Sequence, residues 1–189
     1  MPRNPKLFVP HKPYFITSRT ESGLPFIPTE FMNRILNGIL ATAASRYMID
    51  ICHYYWAANH FHMVVVARNP EDVPLFMKYI KQESAHSINR LLGREKRTVW
   101  CSSYDSPVLL TPETVIKYIG YLYTNPERDK IIDSVDNYTG VCSWKAYKYG
   151  TKTVTAKRIP RSCIPAVQDP GNITKNERQI LCNLSLIHI

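Results

Sequence analysis

The sequence has no long hydrophobic run. Its longest apolar stretches, such as Met63 to Ala67, are far shorter than the roughly 20 residues that a membrane-spanning helix needs. The amino end is charged and leads into Pro10 and Pro13, so it lacks the apolar segment of a secretory signal. We therefore expect no membrane partner and a cytoplasmic location.

The cysteines lack the spacing of a structural framework. There are 5 of them, an odd number, and no two form a C-x-x-C pair. This excludes an ordinary disulfide scaffold and a zinc knuckle, and predicts reduced thiols.

Acidic residues are scarce. The chain has 24 Lys and Arg against 15 Asp and Glu, a formal net charge of +9, and no acid between Asn137 and Gln168. That stretch contains Trp144, Tyr147, Tyr149 and the basic residues Lys145, Lys148, Lys152, Lys157, Arg158 and Arg161. Alternating cations and aromatic rings favour an anionic partner such as nucleic acid, although a solvated extension would have the same composition.

The length and composition are typical of one globular domain with a hydrophobic core. The chain has 189 residues, of which 44% are hydrophobic and 21% charged. Alternation and helical spacing predict the order β-α-β-β-α-β-α, which indicates an α+β domain with helices on an antiparallel sheet. The predicted elements are a strand at Tyr14–Ser18, a helix from Thr29 to Ser45, strands at Tyr47–Trp56 and His60–Ala67, a helix capped at Asn69 with Pro70 at its first position, an extended stretch over Thr98–Tyr104 and Val108–Leu110, and a helix from Thr111 that ends at Asn125 before Pro126.

Two histidines share one face of a predicted strand. Side chains at i and i+2 point to the same side of a sheet, so His60 and His62 lie next to each other. Two neutral imidazoles can bind a divalent metal ion. The alternative is one histidine at a strand end and one satisfied in the core.

The last predicted helix carries a polar face. Tyr118, Tyr121 and Asn125 are spaced i, i+3 and i+7, which places them on one side of the helix. An amide oxygen and a phenol directed at the histidine pair would give a third metal ligand and a nucleophile. The same spacing is also typical of two half-buried aromatic residues and a helix-terminal Asn.

Several motifs in this order resemble the REP-associated tyrosine transposases, which belong to the HUH nuclease superfamily. They are Thr17-Ser18-Arg19, Asn59 to Val65, Val99-Trp100, Tyr121 to Arg128 and Cys142 to Tyr147, so the resemblance covers about residues 8–150. It implies a ferredoxin-like core that binds single-stranded DNA next to a hairpin. It also implies Mg²⁺ or Mn²⁺ held by His60, His62 and Asn125, with Tyr121 as the nucleophile and Tyr118 and Tyr123 as rivals.

We therefore expect a metal-dependent transposase or endonuclease that cleaves and rejoins single-stranded DNA through a 5′-phosphotyrosine. A non-catalytic nucleic-acid-binding module and a phosphodiesterase that uses water are the alternatives, and the active form is a monomer or a homodimer. The expected division is a catalytic domain over 1–135 and a basic extension over 136–189, partly packed on the core. The expected phosphate contacts are Arg19, Lys78, Lys81, Arg90, Arg94, Lys145, Lys148 and Lys152.

Overall fold

A computed structural model describes residues 8–23, 25, 29–94 and 97–166. The strands are β1 (Pro13–Arg19), β2 (Ile49–Trp56) and β3 (His60–Ala67), and the helices are α1 (Glu30–Tyr47), α2 (Asp72–Leu91), α3 (Pro112–Arg128) and α4 (Trp144–Lys148). The predicted α+β class, an antiparallel sheet with helices packed on it, is confirmed.

The sheet separates two layers of helices. Its strand order is β1-β3-β2, with β3 in the centre and both pairings antiparallel. Because side chains alternate, Ile16, Phe61 and Met63 pack on the side of α1 and α2, in the larger core. Phe15 and Val64 face the other side and pack with Leu122 of α3 in a second, smaller core. The face under α3 is the one that carries His60 and His62.

Helix α1 begins where its capping residue predicts. The Thr29 side chain accepts a hydrogen bond of 3.1 Å from the Met32 amide, and the helix ends at Met48 in the left-handed conformation. Helix α2 begins later than predicted: Asn69 is not its cap, because residues 69–71 form a turn in which the Asn69 carbonyl accepts from the Asp72 amide at 3.2 Å.

Helix α3 passes through Pro126 and ends at Arg128, so the predicted end at Asn125 was wrong by three residues. Proline removes its own N–H from the ladder and its ring crowds the carbonyl four residues earlier, but it leaves the later N–H groups in place. The Asp129 amide donates to the Asn125 carbonyl at 2.9 Å, which closes the last turn after the proline. Asn125 is therefore held inside a helical turn.

The predicted fourth strand is an irregular segment beside β1. Thr17 and Asp105 exchange two backbone hydrogen bonds of 2.9 Å, and the Phe15 amide donates to the Pro107 carbonyl at 3.0 Å. Only isolated bridges form here, since Pro107 has no N–H to continue a ladder. Residues between 101 and 107 thus border one side of the α3-covered face without forming a regular strand.

The residues after α3 return to the sheet and to α1. The Trp56 amide donates to the Val141 carbonyl at 2.9 Å, and the Tyr138 hydroxyl donates to the Trp56 carbonyl at 2.6 Å. A Cβ on Gly38 of α1 would lie 2.5 Å from the Lys157 carbonyl oxygen, so this helix and residues 157–158 are in close contact. The division between residues 135 and 136 stays a prediction, and residues 167–189 lie outside the described part.

Within the described residues, none of the helices has both the length and the apolar character needed to span a bilayer.

Candidate active site

The histidine pair lies at the end of the central strand, beneath α3. The rings of His60 and His62 are 4.8 Å apart between centroids, and His62 is only 3% exposed. Asn125 of α3 is also buried and reaches both rings: its Oδ1 lies 3.1 Å from His60 Nε2, and its Nδ2 lies 3.3 Å from His62 Nε2. The structure therefore brings together the three predicted metal ligands.

The tautomer of His62 follows from its neighbours. The Asn125 Nδ2 group can only donate, so His62 Nε2 accepts and carries a lone pair. The proton then sits on Nδ1, which lies 2.8 Å from Thr17 Oγ1 and donates to it. Burial lowers the pKa of His62 to about 3, and the nearby His60 and Arg19 charges act in the same direction. At neutral pH this ring is neutral.

His60 faces an oxygen at each ring nitrogen. Its Nδ1 lies 2.8 Å from Asn59 Oδ1, and its Nε2 lies 3.1 Å from Asn125 Oδ1. Burial lowers the pKa of His60, so the ring carries one N–H and can donate to only one of the two oxygens. When the closer Asn59 oxygen takes that proton, the Nε2 lone pair faces the Asn125 oxygen, an arrangement that a cation would stabilise.

The donor set fits a divalent metal ion. Two neutral imidazole nitrogens and an amide oxygen converge, which are suitable ligands for such an ion. Thr17 and Asn59 contact the Nδ1 atoms of the two rings, in the way that hydrogen-bond partners orient ligating histidines in metal sites. In the described part of the chain, no group of three or more His, Cys, Asp or Glu residues could hold a metal. The ion would therefore depend on the Asn125 oxygen and on substrate oxygens to complete its coordination.

Tyr121 lies beside the histidines. Its ring centroid is 5.4 Å from that of His62 and 5.9 Å from that of Phe15, and the Arg128 guanidinium lies 4.9 Å from its centre. Tyr121 is 36% exposed, so solvent and substrate can reach it. Tyr118, one turn earlier, packs on Phe15 at 4.6 Å and also lines the open cleft next to His62.

Tyr123 points away from the histidine pair. It is 5% exposed, and its hydroxyl lies 2.8 Å from His53 Nδ1 and 2.9 Å from Ser143 Oγ. Burial raises the pKa of this phenol far above its ordinary value. Of the three tyrosines, only Tyr121 has a ring contact with His62 among the described residues.

The cleft in front of the site has a volume of about 550 Å³. Phe15, His62 and Tyr121 line one part, and Ser103, Tyr104 and Asp105 of the irregular segment line another. Arg19 and Lys117 also line it. The cleft therefore places aromatic and charged side chains next to His62.

The predicted phosphate contacts do not gather at one place. Arg19 lines the cleft, and Lys81 donates to the carbonyls of Cys101 and Ser102 at its wall. Lys78 and Arg90 belong to α2, on the opposite side of the sheet from the histidines, and Arg90 donates to the Ile164 carbonyl. Arg94 follows α2, and Lys145, Lys148 and Lys152 belong to the segment after α3.

Four residues that shape the site were not predicted as site residues from the sequence. They are Phe15, Thr17, Asn59 and Arg128, which contact His62, His60 or Tyr121. Thr17, Asn59 and Arg128 lie in the quoted motifs, and Asn59 and Arg128 could have been identified by their proximity in sequence to His60 and Tyr121. The role of Thr17 could not be found in this way, because its position opposite His62 depends on the pairing register of β1 with β3.

Residues 16–121, more than half of the chain, match the family described as IS200-like transposases. The chain belongs to this family of DNA transposases.

One solved structure shares the fold. The structure of a REP-associated tyrosine transposase bound to a REP hairpin is 12% identical, with a TM-score of 0.65, and the match covers 85% of this chain and 99% of that one. A protein from Deinococcus radiodurans R1 assigned as a transposase is 16% identical, with a TM-score of 0.40, over 63% of this chain and 94% of that one. None of the curated proteins compared with the chain matches it.

Proposed function

We propose that this transposase cleaves and rejoins single-stranded DNA next to a hairpin, with Tyr121 as the nucleophile. The observation that carries the proposal is the 5.4 Å separation of the Tyr121 and His62 rings at an open cleft. The REP-associated transposase of similar fold was solved with a hairpin bound, and this supports the same kind of DNA partner here.

The covalent step needs no external energy. The Tyr121 oxygen attacks a phosphodiester phosphorus, the bond from phosphorus to the 3′ oxygen breaks, and the departing 3′ oxygen gains a proton while the phenol loses one. The products are a 5′-phosphotyrosine and a 3′-hydroxyl. The 3′-hydroxyl of another strand can attack the phosphotyrosine in the reverse sense, which joins the strands and restores the tyrosine.

His60, His62 and Asn125 would hold the metal ion, for which we propose Mg²⁺ or Mn²⁺. Such an ion, when bound, supplies positive charge to a non-bridging phosphate oxygen and so stabilises the charge that develops during attack. Thr17 and Asn59 would accept the protons of both Nδ1 atoms in the metal-bound site, which leaves the Nε2 atoms available as ligands. Phe15 packs against both His62 and Tyr121 and orients them relative to each other.

One chain is sufficient for this site in our proposal, because its own His62 and Tyr121 are in contact. We propose a monomer, with a homodimer as the alternative, acting in the cytoplasm on cellular DNA. We propose that Arg19 is the phosphate contact nearest to the reaction. Lys81 holds the Cys101 carbonyl at the edge of the same cleft.

The test uses a labelled single-stranded oligonucleotide with a hairpin, incubated with Mg²⁺ or Mn²⁺ and analysed under denaturing conditions. We expect a covalent adduct with the wild type and with Tyr118→Phe, and none with Tyr121→Phe. Tyr118→Phe is the matched control, since it removes a hydroxyl one helical turn away in the same cleft.

The other outcomes contradict the proposal in different ways. Cleavage without an adduct that survives Tyr121→Phe would indicate a phosphodiesterase that uses water. Hairpin binding without cleavage would indicate a binding module. Loss of the adduct in Tyr118→Phe alone would assign the nucleophile to Tyr118.

A further inference from the structure

The cleft contains an acidic residue close to the reaction centre. Thr17 of β1 is paired with His62 on one side and with Asp105 on the other. Neighbouring extended segments lie about 4.8 Å apart, so the backbone of Asp105 is roughly 10 Å from that of His62. Residues that face each other across a pair point to the same side, which agrees with Asp105 lining the cleft.

A carboxylate is a poor contact for a DNA phosphate, because both groups are negatively charged. Arg19 and Lys117 line the same cleft and can attract the DNA backbone, whereas Asp105 repels it. Asp105 forms no ion pair within 4 Å in the described part of the chain, so its charge is not used to hold a neighbouring cation. Its two oxygens are exposed acceptors at the place where DNA next to the cleaved bond would lie.

Aromatic side chains surround this part of the cleft. Tyr104 comes directly before Asp105 and lines the cleft, and Tyr118 lines it from α3. Unpaired bases stack on such rings with little regard to sequence, and then expose their edges to polar side chains. An unpaired base stacked on the accessible part of one of these rings would lie in the same cleft as the carboxylate.

We propose that Asp105 binds the Watson–Crick edge of an unpaired guanine in the nucleotide next to the cleaved phosphodiester. An ionised carboxylate has two acceptor oxygens and no donor. Guanine is the base that presents two adjacent donors on this edge, N1–H and N2–H, while the other three bases place an acceptor beside each donor. This selectivity depends on the proposed cleavage reaction and adds a sequence requirement to it.

The side chain of Asp105 can be changed without loss of the fold. Its two hydrogen bonds to Thr17 are made by the backbone, so Asp105→Asn keeps them. The amide has one acceptor and one donor, and the donor would face a guanine N–H. Asp133→Asn is the matched control, because it makes the same change at an exposed residue that does not line the cleft.

The experiment uses a pool of hairpin oligonucleotides with randomised single-stranded flanks and Mn²⁺. The covalent adducts are isolated and their DNA is sequenced. For the wild type and Asp133→Asn we expect guanine to be enriched at one position beside the cleavage site. For Asp105→Asn we expect that enrichment to fall about ten-fold, the effect of losing a bidentate base contact.

Base analogues test the edge that is read. At the enriched position, inosine lacks the N2 amino group and should lower adduct formation by the wild type, whereas 7-deazaguanine keeps the Watson–Crick edge and should react normally. A metal-free binding selection with Tyr121→Phe should enrich the same guanine, which separates recognition from cleavage.

The two proposals fail in different ways. Adducts that form without a guanine preference, or with the same preference in Asp105→Asn, would overturn the Asp105 assignment and leave the cleavage reaction standing. If no Tyr121-dependent adduct forms from the pool, the cleavage reaction and the selectivity that depends on it are both wrong.

Discussion

At the scale of single residues, the site depends on hydrogen bonds behind the histidines. Thr17 accepts the proton of His62 Nδ1, and Asn59 offers the same kind of acceptor to His60 Nδ1. With both Nδ1 atoms protonated, both Nε2 lone pairs face Asn125. Without these partners a neutral imidazole can move its proton to the other nitrogen, where it would block a metal. The orientation of the ligands is thus set by residues that would not touch the ion.

We expect Thr17→Val to weaken Mn²⁺ binding by about 10- to 100-fold, because it removes the acceptor of His62 Nδ1 at nearly unchanged side-chain volume. Calorimetric titration of the protein with Mn²⁺ measures the effect. Thr42→Val, which makes the same change on α1, should bind Mn²⁺ like the wild type. Equal affinities for Thr17→Val and the wild type would show that His62 needs no such support.

A third histidine, His53, makes the stability of the fold depend on pH. Burial lowers the pKa of His53, whose Nδ1 lies 2.8 Å from the Tyr123 hydroxyl. As the pH falls below the ordinary value of 6.5, the unfolded chain binds a proton at His53 before the folded chain does, so stability decreases. We expect His53→Gln to make the loss of stability between pH 7.5 and 5 shallower than in the wild type, as measured by urea unfolding. Parallel pH profiles would mean that His53 titrates alike in both states.

At the scale of elements, α1 is joined to the chain after α3 through a glycine. Gly38 lies in α1, and a Cβ there would be 2.5 Å from the Lys157 carbonyl oxygen and 3.0 Å from the Arg158 Cα. Both atoms belong to the backbone and cannot turn away as a side chain could. The close approach fixes residues 157–158 against the helix.

We expect Gly38→Ala to lower the free energy of unfolding by roughly 1–3 kcal/mol, because the new methyl group overlaps this backbone. Gly120→Ala makes the same change inside α3, where nothing lies within 4 Å, and should raise stability by about 0.5–1 kcal/mol through helix propensity. Urea unfolding of the two variants provides the comparison. A stabilised Gly38→Ala would show that residues 157–158 are not held against α1.

Local patterns predicted the elements well where one signal dominates. Thr29 and Thr111 accept hydrogen bonds at the starts of α1 and α3, and the alternation of β3 brings His60 and His62 to one face. Features that depend on contacts between distant parts of the chain could not be predicted from the sequence. The contact of Thr17 with His62 needs the strand register, and the irregular segment beside β1 arises because Pro107 cannot continue a ladder.

At the scale of the whole molecule, the six cations between Asn137 and Gln168 divide into two groups. Lys148 pairs with Asp136 at 2.8 Å, and Arg161 and Arg158 both pair with Glu83. The other three cations, Lys145, Lys152 and Lys157, are exposed and form no ion pair within 4 Å in the described residues. Cations whose charge is not already neutralised are the better partners for phosphates, so the acid-free stretch is less uniform than its composition indicates.

This division predicts a difference between two triple variants of equal net charge. Lys145, Lys152 and Lys157 replaced by Gln should weaken hairpin binding and reduce the slope of log affinity against log salt by about 2, because each lost phosphate contact removes about 0.7 for single strands. Replacing Lys148, Arg158 and Arg161 by Gln should change the slope much less, because these cations are already paired. The Glu83 carboxylate is only 12% exposed and loses both partners, so we expect this variant to be less stable, and urea unfolding verifies that it is folded under the binding conditions. Fluorescence anisotropy of a labelled hairpin over a salt series measures both slopes. Equal slopes for the two variants would mean that the DNA responds to total charge, while a smaller slope only in the first would identify the three unpaired lysines as the phosphate-binding group.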